Sequence, residues 1–321
     1  MTSAALSMTW LLVAVMAVAW LAATAVAPAL LRRAALPGLD PQARKMRLLL
    51  VALLPWAIPL LAVSAVLAPA IAKPLGVIAH HCVEHGPGHP HICLAHPPIV
   101  ALSAWHWLAV TFAFLWLLWS IGTHVLRRRH ALLQLRSLLA FAGGSGPVRT
   151  LDTPHVVALT ADPGHPVILL SSELRRRLHP RHRRIVLAHE VAHLRHGDLY
   201  FSRLIDALLV PHVRPVAKRM RMAWRQAIEE HADDVVAARF GREDVAQALV
   251  RVARMPAVSA GSALRATGGN AVQRIERLLD APTEMRGRAA FAAGYAGAML
   301  GSWVVLVWAH HTIETLLGWI G

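Results

Sequence analysis

Four long stretches of the sequence contain no charged side chain, and they constrain the fold more than any other feature. They span residues 1–31, 48–72, 94–126 and 289–313. Each exceeds the roughly 20 residues that an apolar helix needs to cross about 30 Å of hydrocarbon. Hydrophobic residues make up 56% of the 321 positions and charged residues only 16%, which does not match a soluble globular chain. The sequence therefore predicts a membrane protein.

We place about four transmembrane helices on these stretches, at 10–31, 48–72, 99–121 and 290–308. The first is expected to be a retained anchor, because no basic region precedes it and its apolar run is too long for a signal peptide. Basic residues cluster between the first two spans and after the third, whereas the loop at 73–98 holds only Lys73. The positive-inside rule then predicts a multi-pass protein of the cell membrane with both termini outside.

This orientation divides the chain into three parts. Residues 1–125 are expected to form a membrane region with three spans and an extracellular loop at 73–98. Residues 126–289 form a cytoplasmic domain, and residues 290–321 hold the fourth span and a short extracellular tail. Most of the formal net charge of +15 lies in the cytoplasmic part. A positive charge of this size favours binding to an anionic inner leaflet or to nucleic acid. Because no nucleic-acid-binding motif is present, we expect contact with the lipid bilayer and no direct nucleic-acid binding.

The extracellular loop contains both cysteines of the chain, Cys82 and Cys93. An even pair in an oxidising compartment favours a disulfide over free thiols. The loop is also rich in histidines, which make it a candidate metal-binding or signal-receiving loop; the alternative is a polar connector without a specific role. These histidines are His80, His81, His85, His89, His91 and His96.

Short β-type runs open the cytoplasmic part. VRTLD, HVVALTAD and HPVILLS are separated by turn signals and predict a small antiparallel sheet of about three strands. HPVILLS is the candidate edge strand for an extended peptide substrate. Helical periodicity follows, and the apolar spacing before Gly197 places HEVAH, residues 189–193, inside a helix.

HEVAH has the spacing of a catalytic zinc site. On a helix, residues four apart differ by about 40° in projection, so His189 and His193 face the same way and both imidazoles can meet one metal ion. Glu190 lies about 100° from His189, where it can act as the general base that takes a proton from the water activated by zinc. Such short matches also occur by chance on solvated helices. The apolar flanks of HEVAH argue against that alternative, because buried ionisable groups need partners.

A catalytic zinc also needs a third protein ligand. His196 is rejected because its spacing from His193 does not fit the form HExxHxxGxxH. The better source is the helix predicted over 216–240, which carries an unusual run of ionisable residues. The candidates there are Glu229, Glu230, His231, Asp233 and Asp234.

HEVAHLRHGD followed by EEHAD resembles the paired motifs HExxHxxxxD and ExxAD of membrane zinc metallopeptidases of the BlaR/MecR type, which are related to the HtpX and CAAX-prenyl-protease types. The resemblance implies a mainly α membrane protein with a cytoplasmic, gluzincin-like α+β domain of the zincin kind, which includes the small antiparallel sheet. It also implies one catalytic zinc ion with the ligands His189, His193 and Glu229, the general base Glu190, and the ligand-orienting aspartates Asp198 and Asp233.

Two features of the sequence qualify this resemblance. The two adjacent glutamates at 229–230 leave Glu230 open as the third ligand. Glu229, however, shares a helix face with Asp233, as expected for a ligand and the aspartate that orients it. The chain also ends shortly after the fourth predicted span and contains no SxxK acylation motif. We therefore expect no penicillin-binding sensor domain and no direct sensing of β-lactams.

These patterns lead to one functional hypothesis with two alternatives. The chain is expected to be a membrane-embedded, zinc-dependent endopeptidase that cuts a cytoplasmic or membrane-proximal protein, with a BlaI-like transcriptional repressor as the candidate, and so transduces a signal. One alternative is HtpX-like quality control of membrane proteins. The other is a non-catalytic, metal-binding membrane transducer, against which Glu190 argues because a structural zinc site needs no base.

Overall fold

The structure is a computed structural model that describes residues 2–36, 39–77, 103–144, 146–255, 271–280, 288–309 and 312. The cysteines and histidines of the loop, from His80 to His96 and including Cys82 and Cys93, lie outside these residues. Three described helices are long and apolar enough to cross a membrane: α1 (Thr2–Ala34), α2 (Pro41–Ala72) and α3 (Ala104–Ala140). The fourth predicted span coincides with the C-terminal helix (Arg288–Trp308), whose apolar part, Ala292–Trp308, is shorter among the described residues. The predicted membrane architecture is confirmed to this extent.

Helix α2 begins at a well-defined cap. Asp40 accepts a hydrogen bond from the Ala43 amide over 2.9 Å, and Pro41 occupies the first helical turn, where its missing amide proton costs nothing. Small buried residues, such as Ala27 of α1 and Ala52 of α2, allow close approach of membrane helices. Helix α3 runs without interruption past the predicted domain boundary at 125, and Leu139 is its only buried residue among those described.

The sheet that follows α3 has four strands: β1 (Ala142–Gly143), β2 (Val148–Leu151), β3 (Ala158–Ala161) and β4 (Val167–Ser171). Their order is β1-β2-β4-β3. Strands β3 and β4 form an antiparallel pair, as do β1 and β2, but β2 and β4 run parallel. The prediction of a purely antiparallel sheet was therefore wrong, because β2 pairs with the far side of β4 instead of with its sequence neighbour β3.

The assignment of HPVILLS as the edge strand was also wrong. This segment forms β4, which lies between two strands and is buried at all five positions. A continuous apolar run of this kind is typical of a strand covered on both faces. The edge beside the next long helix is instead β3.

Six helices complete the described part of residues 126–289, and the two that carry HEVAH and the run at 229–234 lie close to their predicted positions. The six helices are α4 (Ser172–Arg177), α5 (Pro180–Arg195), α6 (Asp198–Leu208), α7 (Arg214–Phe240), α8 (Arg242–Ala253) and α9 (Ala271–Leu279); the C-terminal helix is α10. Helix α5 ends at Arg195, and Gly197 lies between it and α6 with a left-handed φ of 65°, a conformation that glycine adopts without steric cost. The chain can therefore turn at once into α6.

The turn between α6 and α7 packs directly on the membrane helices. The indole of Trp56 in α2 donates to the Leu208 carbonyl over 3.0 Å, and the indole of Trp20 in α1 donates to the Pro211 carbonyl over 3.1 Å. Buried side chains of α6 and α7, among them Ile205 and Met220, share one apolar cluster with α1 and α2. Helices α6 and α7 thus pack against two membrane helices.

Candidate metal centre

The two histidines of HEVAH converge from one face of α5. The Nε2 atoms of His189 and His193 lie 3.1 Å apart, and the two rings are nearly perpendicular, with centroids separated by 4.7 Å. Both side chains are largely buried. The spacing of four residues produces this arrangement, since it returns the chain to the same face after about one turn.

Helix α7 brings a carboxylate to the same point. Oε2 of Glu229 lies 3.3 Å from Nε2 of His189, and its Oε1 lies 3.8 Å from Nε2 of His193. The three donor atoms all fall within 4.8 Å of one another. Glu230 points elsewhere, because its carboxylate contacts Arg44 at 3.0 Å and accepts a hydrogen bond from Gln226 over 2.8 Å. The structure thus places Glu229, and not Glu230, beside the histidines.

The other ring nitrogen of each histidine contacts an aspartate. Nδ1 of His189 lies 3.1 Å from Asp233, and Nδ1 of His193 lies 2.9 Å from Asp198. Both aspartates are almost fully buried. A hydrogen bond at Nδ1 fixes the ring orientation and leaves Nε2 as the ligand atom. His196, rejected as a ligand on spacing, packs its ring on His231 instead, with centroids 4.6 Å apart.

The charges around the cluster favour a cation at its centre. Burial by itself would lower the pKa of His189, but hydrogen bonds to Asp233 and Glu229 outweigh it and raise the pKa to about 10. Burial by itself would raise the pKa of Glu229, but the hydrogen bond from His189 and the charge of Arg274 lower it to about 2. The carboxylates that stabilise a proton on His189 would equally stabilise a divalent metal ion.

Arg274 of α9 is a part of this site that the sequence analysis missed. Its Nε and Nη2 each donate to Asp233 over 2.7 Å, and its Nη1 lies 2.9 Å from Glu229. The pKa of Asp233 is held low: burial opposes its charge, but the neighbouring Arg274 outweighs burial. The sequence did offer a signal: Arg274 lies three residues after Ala271 and four before Leu278, a spacing that puts the arginine on the apolar face of the helix. The structure shows all three residues buried.

Glu190 lies beside the cluster with one oxygen already fixed. The Thr160 hydroxyl of β3 donates to its Oε2 over 2.6 Å, while Oε1 has no hydrogen-bond partner within the described ranges. A cavity of about 280 Å³ opens in front of these groups. Polar groups of the cluster form one wall of the cavity, and the remainder includes apolar side chains such as Val186, Leu249 and Val252. Thr160 was not predicted, because the contact depends on how β3 packs on α5.

The donor set fits zinc. Two imidazole nitrogens and one carboxylate oxygen form one of the common ligand sets of catalytic zinc, in which a fourth position stays open. His189, Glu190, His193 and Glu229 all line the cavity, so there is space beside these donors for a water molecule or a substrate. The supporting aspartates complete the arrangement that metal-binding histidines require.

Membrane-spanning helices joined to an α+β unit with this cluster define a membrane metallopeptidase. The chain belongs to the BlaR1 peptidase M56 family: the family model matches residues 99–278, more than half of the chain, and this range contains both HEVAH and EEHAD. The resemblance to the BlaR/MecR type is thereby confirmed. No match was found among curated proteins or among solved structures.

Proposed function

We propose that the chain is a zinc-dependent endopeptidase whose metal centre is the cluster between α5 and α7. Its ligands are His189, His193 and Glu229, which have converging donor atoms. Asp198 and Asp233 orient the two imidazoles through their Nδ1 atoms. The observation that carries the proposal is the convergence of these donors beside Glu190, whose Oε1 has no hydrogen-bond partner among the described residues.

Glu190 is the proposed general base. When bound, Zn²⁺ supplies a Lewis acid that lowers the pKa of water and polarises a carbonyl group. Thr160 holds Oε2 of Glu190, so Oε1 is the oxygen left to accept a proton from water. The same carboxyl group can then pass that proton to the departing amine. A structural zinc site would need neither this carboxylate nor an open cavity.

The edge of β3 that no described strand pairs with is the proposed docking site for the substrate. Strand β3 pairs with β4 on one side only, and it touches the catalytic region through Thr160. An extended peptide that adds to such an edge gains main-chain hydrogen bonds. The scissile bond would then be directed toward the cavity in front of Glu190.

The membrane topology and the substrate are further parts of the proposal. The basic residues beside the spans support a three-part division at 125 and 290, with the peptidase part, 126–289, in the cytoplasm. A protease there meets cytoplasmic or membrane-proximal proteins, and a BlaI-like repressor is the proposed substrate. Its cleavage would relay a signal received outside the cell.

The proposal is tested by comparing cells that express wild-type protein, Glu190→Gln, or the control Glu243→Gln. Glu243 is an exposed glutamate at the start of α8. Its substitution makes the same carboxylate-to-amide change outside the proposed metal centre. New protein N-termini should appear with the wild type and the control and disappear with Glu190→Gln, while the bound zinc of the purified proteins stays equal. Equal cleavage by Glu190→Gln would refute the proposal. If all new fragments came from membrane proteins, HtpX-like quality control would replace repressor cleavage as the proposed function.

A further inference from the structure

The first turns of the membrane helix α2 reach the metal centre. Nζ of Lys45 lies 2.6 Å from Oδ1 of Asp198, and Oδ2 of the same carboxylate lies 2.9 Å from Nδ1 of His193. A continuous series of contacts thus connects α2 to a proposed ligand. We propose that Lys45 is a positioning residue that sets the orientation of His193 through Asp198. The first turns of α2 then belong to the metal centre. This inference rests on the metal centre proposed above.

Asp198 needs a second partner to hold His193 in one orientation. The carboxylate is buried and uses one oxygen for the imidazole and the other for the ammonium group. Without Lys45, the second oxygen would be left buried and unpaired, which is costly for a charged group. The carboxylate would then rotate, and the imidazole of His193 would lose the orientation that presents Nε2 as the ligand atom.

Lys45 is itself held in place. Its side chain is only 12% exposed, and Nζ lies 6.0 Å from the centre of the Trp224 ring, within the range of a cation–π contact. The Trp224 indole in turn donates to the Ser202 hydroxyl over 3.0 Å. A flexible lysine would contribute little to orientation, whereas this one is confined between an aromatic face and a carboxylate.

The neighbouring residue of α2 makes a parallel contact with the second motif. Arg44 lies 3.0 Å from Glu230, and both side chains are 3% exposed. Glu230 directly follows the proposed ligand Glu229. One turn of α2 therefore contacts one acidic residue in each of the two motifs that contain the proposed ligands. A shift of α2 by about one helical turn, roughly 5.4 Å, would remove both contacts.

A purely structural ion pair would behave differently from a positioning residue. It would stabilise the fold together with its partner Asp198, but the metal affinity of the folded protein would not depend on it. The decisive measurement is therefore Zn²⁺ affinity, and the decisive comparison is a double-mutant cycle.

The experiment uses the full chain in lipid nanodiscs, with Zn²⁺ affinity measured by competition with a chromophoric chelator. The variants are Lys45→Met, Lys45→Arg, Asp198→Asn and the double variant Lys45→Met/Asp198→Asn. Lys218→Met removes an exposed lysine of α7 as the matched control. Thermal unfolding of each protein with zinc removed shows whether the variant is folded. The d–d absorption of bound Co²⁺ reports the ligand geometry.

We expect Lys45→Met to weaken Zn²⁺ binding by about 10- to 100-fold, the range for residues that support metal ligands, and to change the Co²⁺ spectrum. Lys45→Arg should recover part of the loss, and Lys218→Met should match the wild type. In the Asp198→Asn background, Lys45→Met should have little further effect. Wild-type affinity in folded Lys45→Met, or losses that simply multiply in the double variant, would overturn the inference.

These outcomes separate this inference from the proposed function. A wild-type protein that binds Zn²⁺ but cleaves nothing would refute the protease proposal and leave the Lys45 result intact. A Lys45→Met protein with normal Zn²⁺ affinity and spectrum would refute the positioning role and leave the protease standing. A wild-type protein that binds no Zn²⁺ would refute both the protease proposal and the positioning role of Lys45.

Discussion

Replacing Arg274 with methionine should destabilise the metal-free protein far more than the zinc-loaded protein. The guanidinium and Asp233 are 3% and 1% exposed, and they share two hydrogen bonds of 2.7 Å. Removal of one partner from such a buried pair typically costs about 3–5 kcal/mol, because the other charge stays buried. Glu229 would lose its cationic neighbour as well.

Zinc should reduce this loss, because a divalent ion at Glu229 supplies positive charge in place of the guanidinium. The control is Arg277→Met. Arg277 lies one turn further along α9 and pairs with Asp234, which is 30% exposed. Its second contact, 3.5 Å from the buried Glu230, leaves that carboxylate with Arg44 as a partner when it is lost, so the substitution should cost only about 1 kcal/mol. Arg274→Lys should fall between the two, since a lysine cannot form the two-pronged contact with Asp233.

The assay is thermal unfolding of the full chain in detergent, with chelator or with excess Zn²⁺. For a domain of this size, a loss of 3–5 kcal/mol corresponds to a fall in unfolding temperature on the order of 10 °C. We expect that fall for Arg274→Met in chelator and a clearly smaller one with zinc. An equal loss in both conditions, or a loss no larger than that of Arg277→Met, would show that the electrostatic reasoning is wrong.

Two further predictions concern the base and the histidines. Thr160→Val should lower kcat by about 10- to 100-fold, as expected for loss of a hydrogen bond of about 1.5–3 kcal/mol to a charged group, while Zn²⁺ affinity stays unchanged; Thr160→Ser is the control and should retain most activity. The metal-free protein should lose stability as the pH rises. The pKa of His189 is raised from 6.5 to about 10 in the folded state, so its contribution is complete below pH 6.5 and is lost as the pH approaches 10. Unfolding temperatures measured across this interval should fall for the wild type and much less for His189→Gln.

Much of this protein could be predicted from local patterns. The apolar stretches have the length that a bilayer demands, whatever the rest of the chain does. The four-residue spacing of His189 and His193 places them on one face of any α-helix that contains them. The run at 229–234 stood out because it places five ionisable residues within six positions of one helix, and such groups require partners where they are buried.

Other features followed only from packing between distant parts of the chain. Strand order is one of them: alternation of side chains marks a strand but does not say which neighbour it pairs with, so β4 was placed at the edge when it lies in the middle. The choice between Glu229 and Glu230 is another. Both lie on the same turn of α7, and only the placement of α5, α9 and Arg44 of α2 directs one to the histidines and the other away.

The sequence by itself determined the membrane spans and the pair of motifs, because periodicity and spacing act within a single helix. Tertiary structure decided what surrounds them. Lys45 and Asp198 are 153 residues apart, and Arg274 and Asp233 are 41 apart; no local pattern links either pair. In the sequence Lys45 counts only as a positive charge beside a span, and its contact with the metal centre exists because α2 packs against α6 and α7.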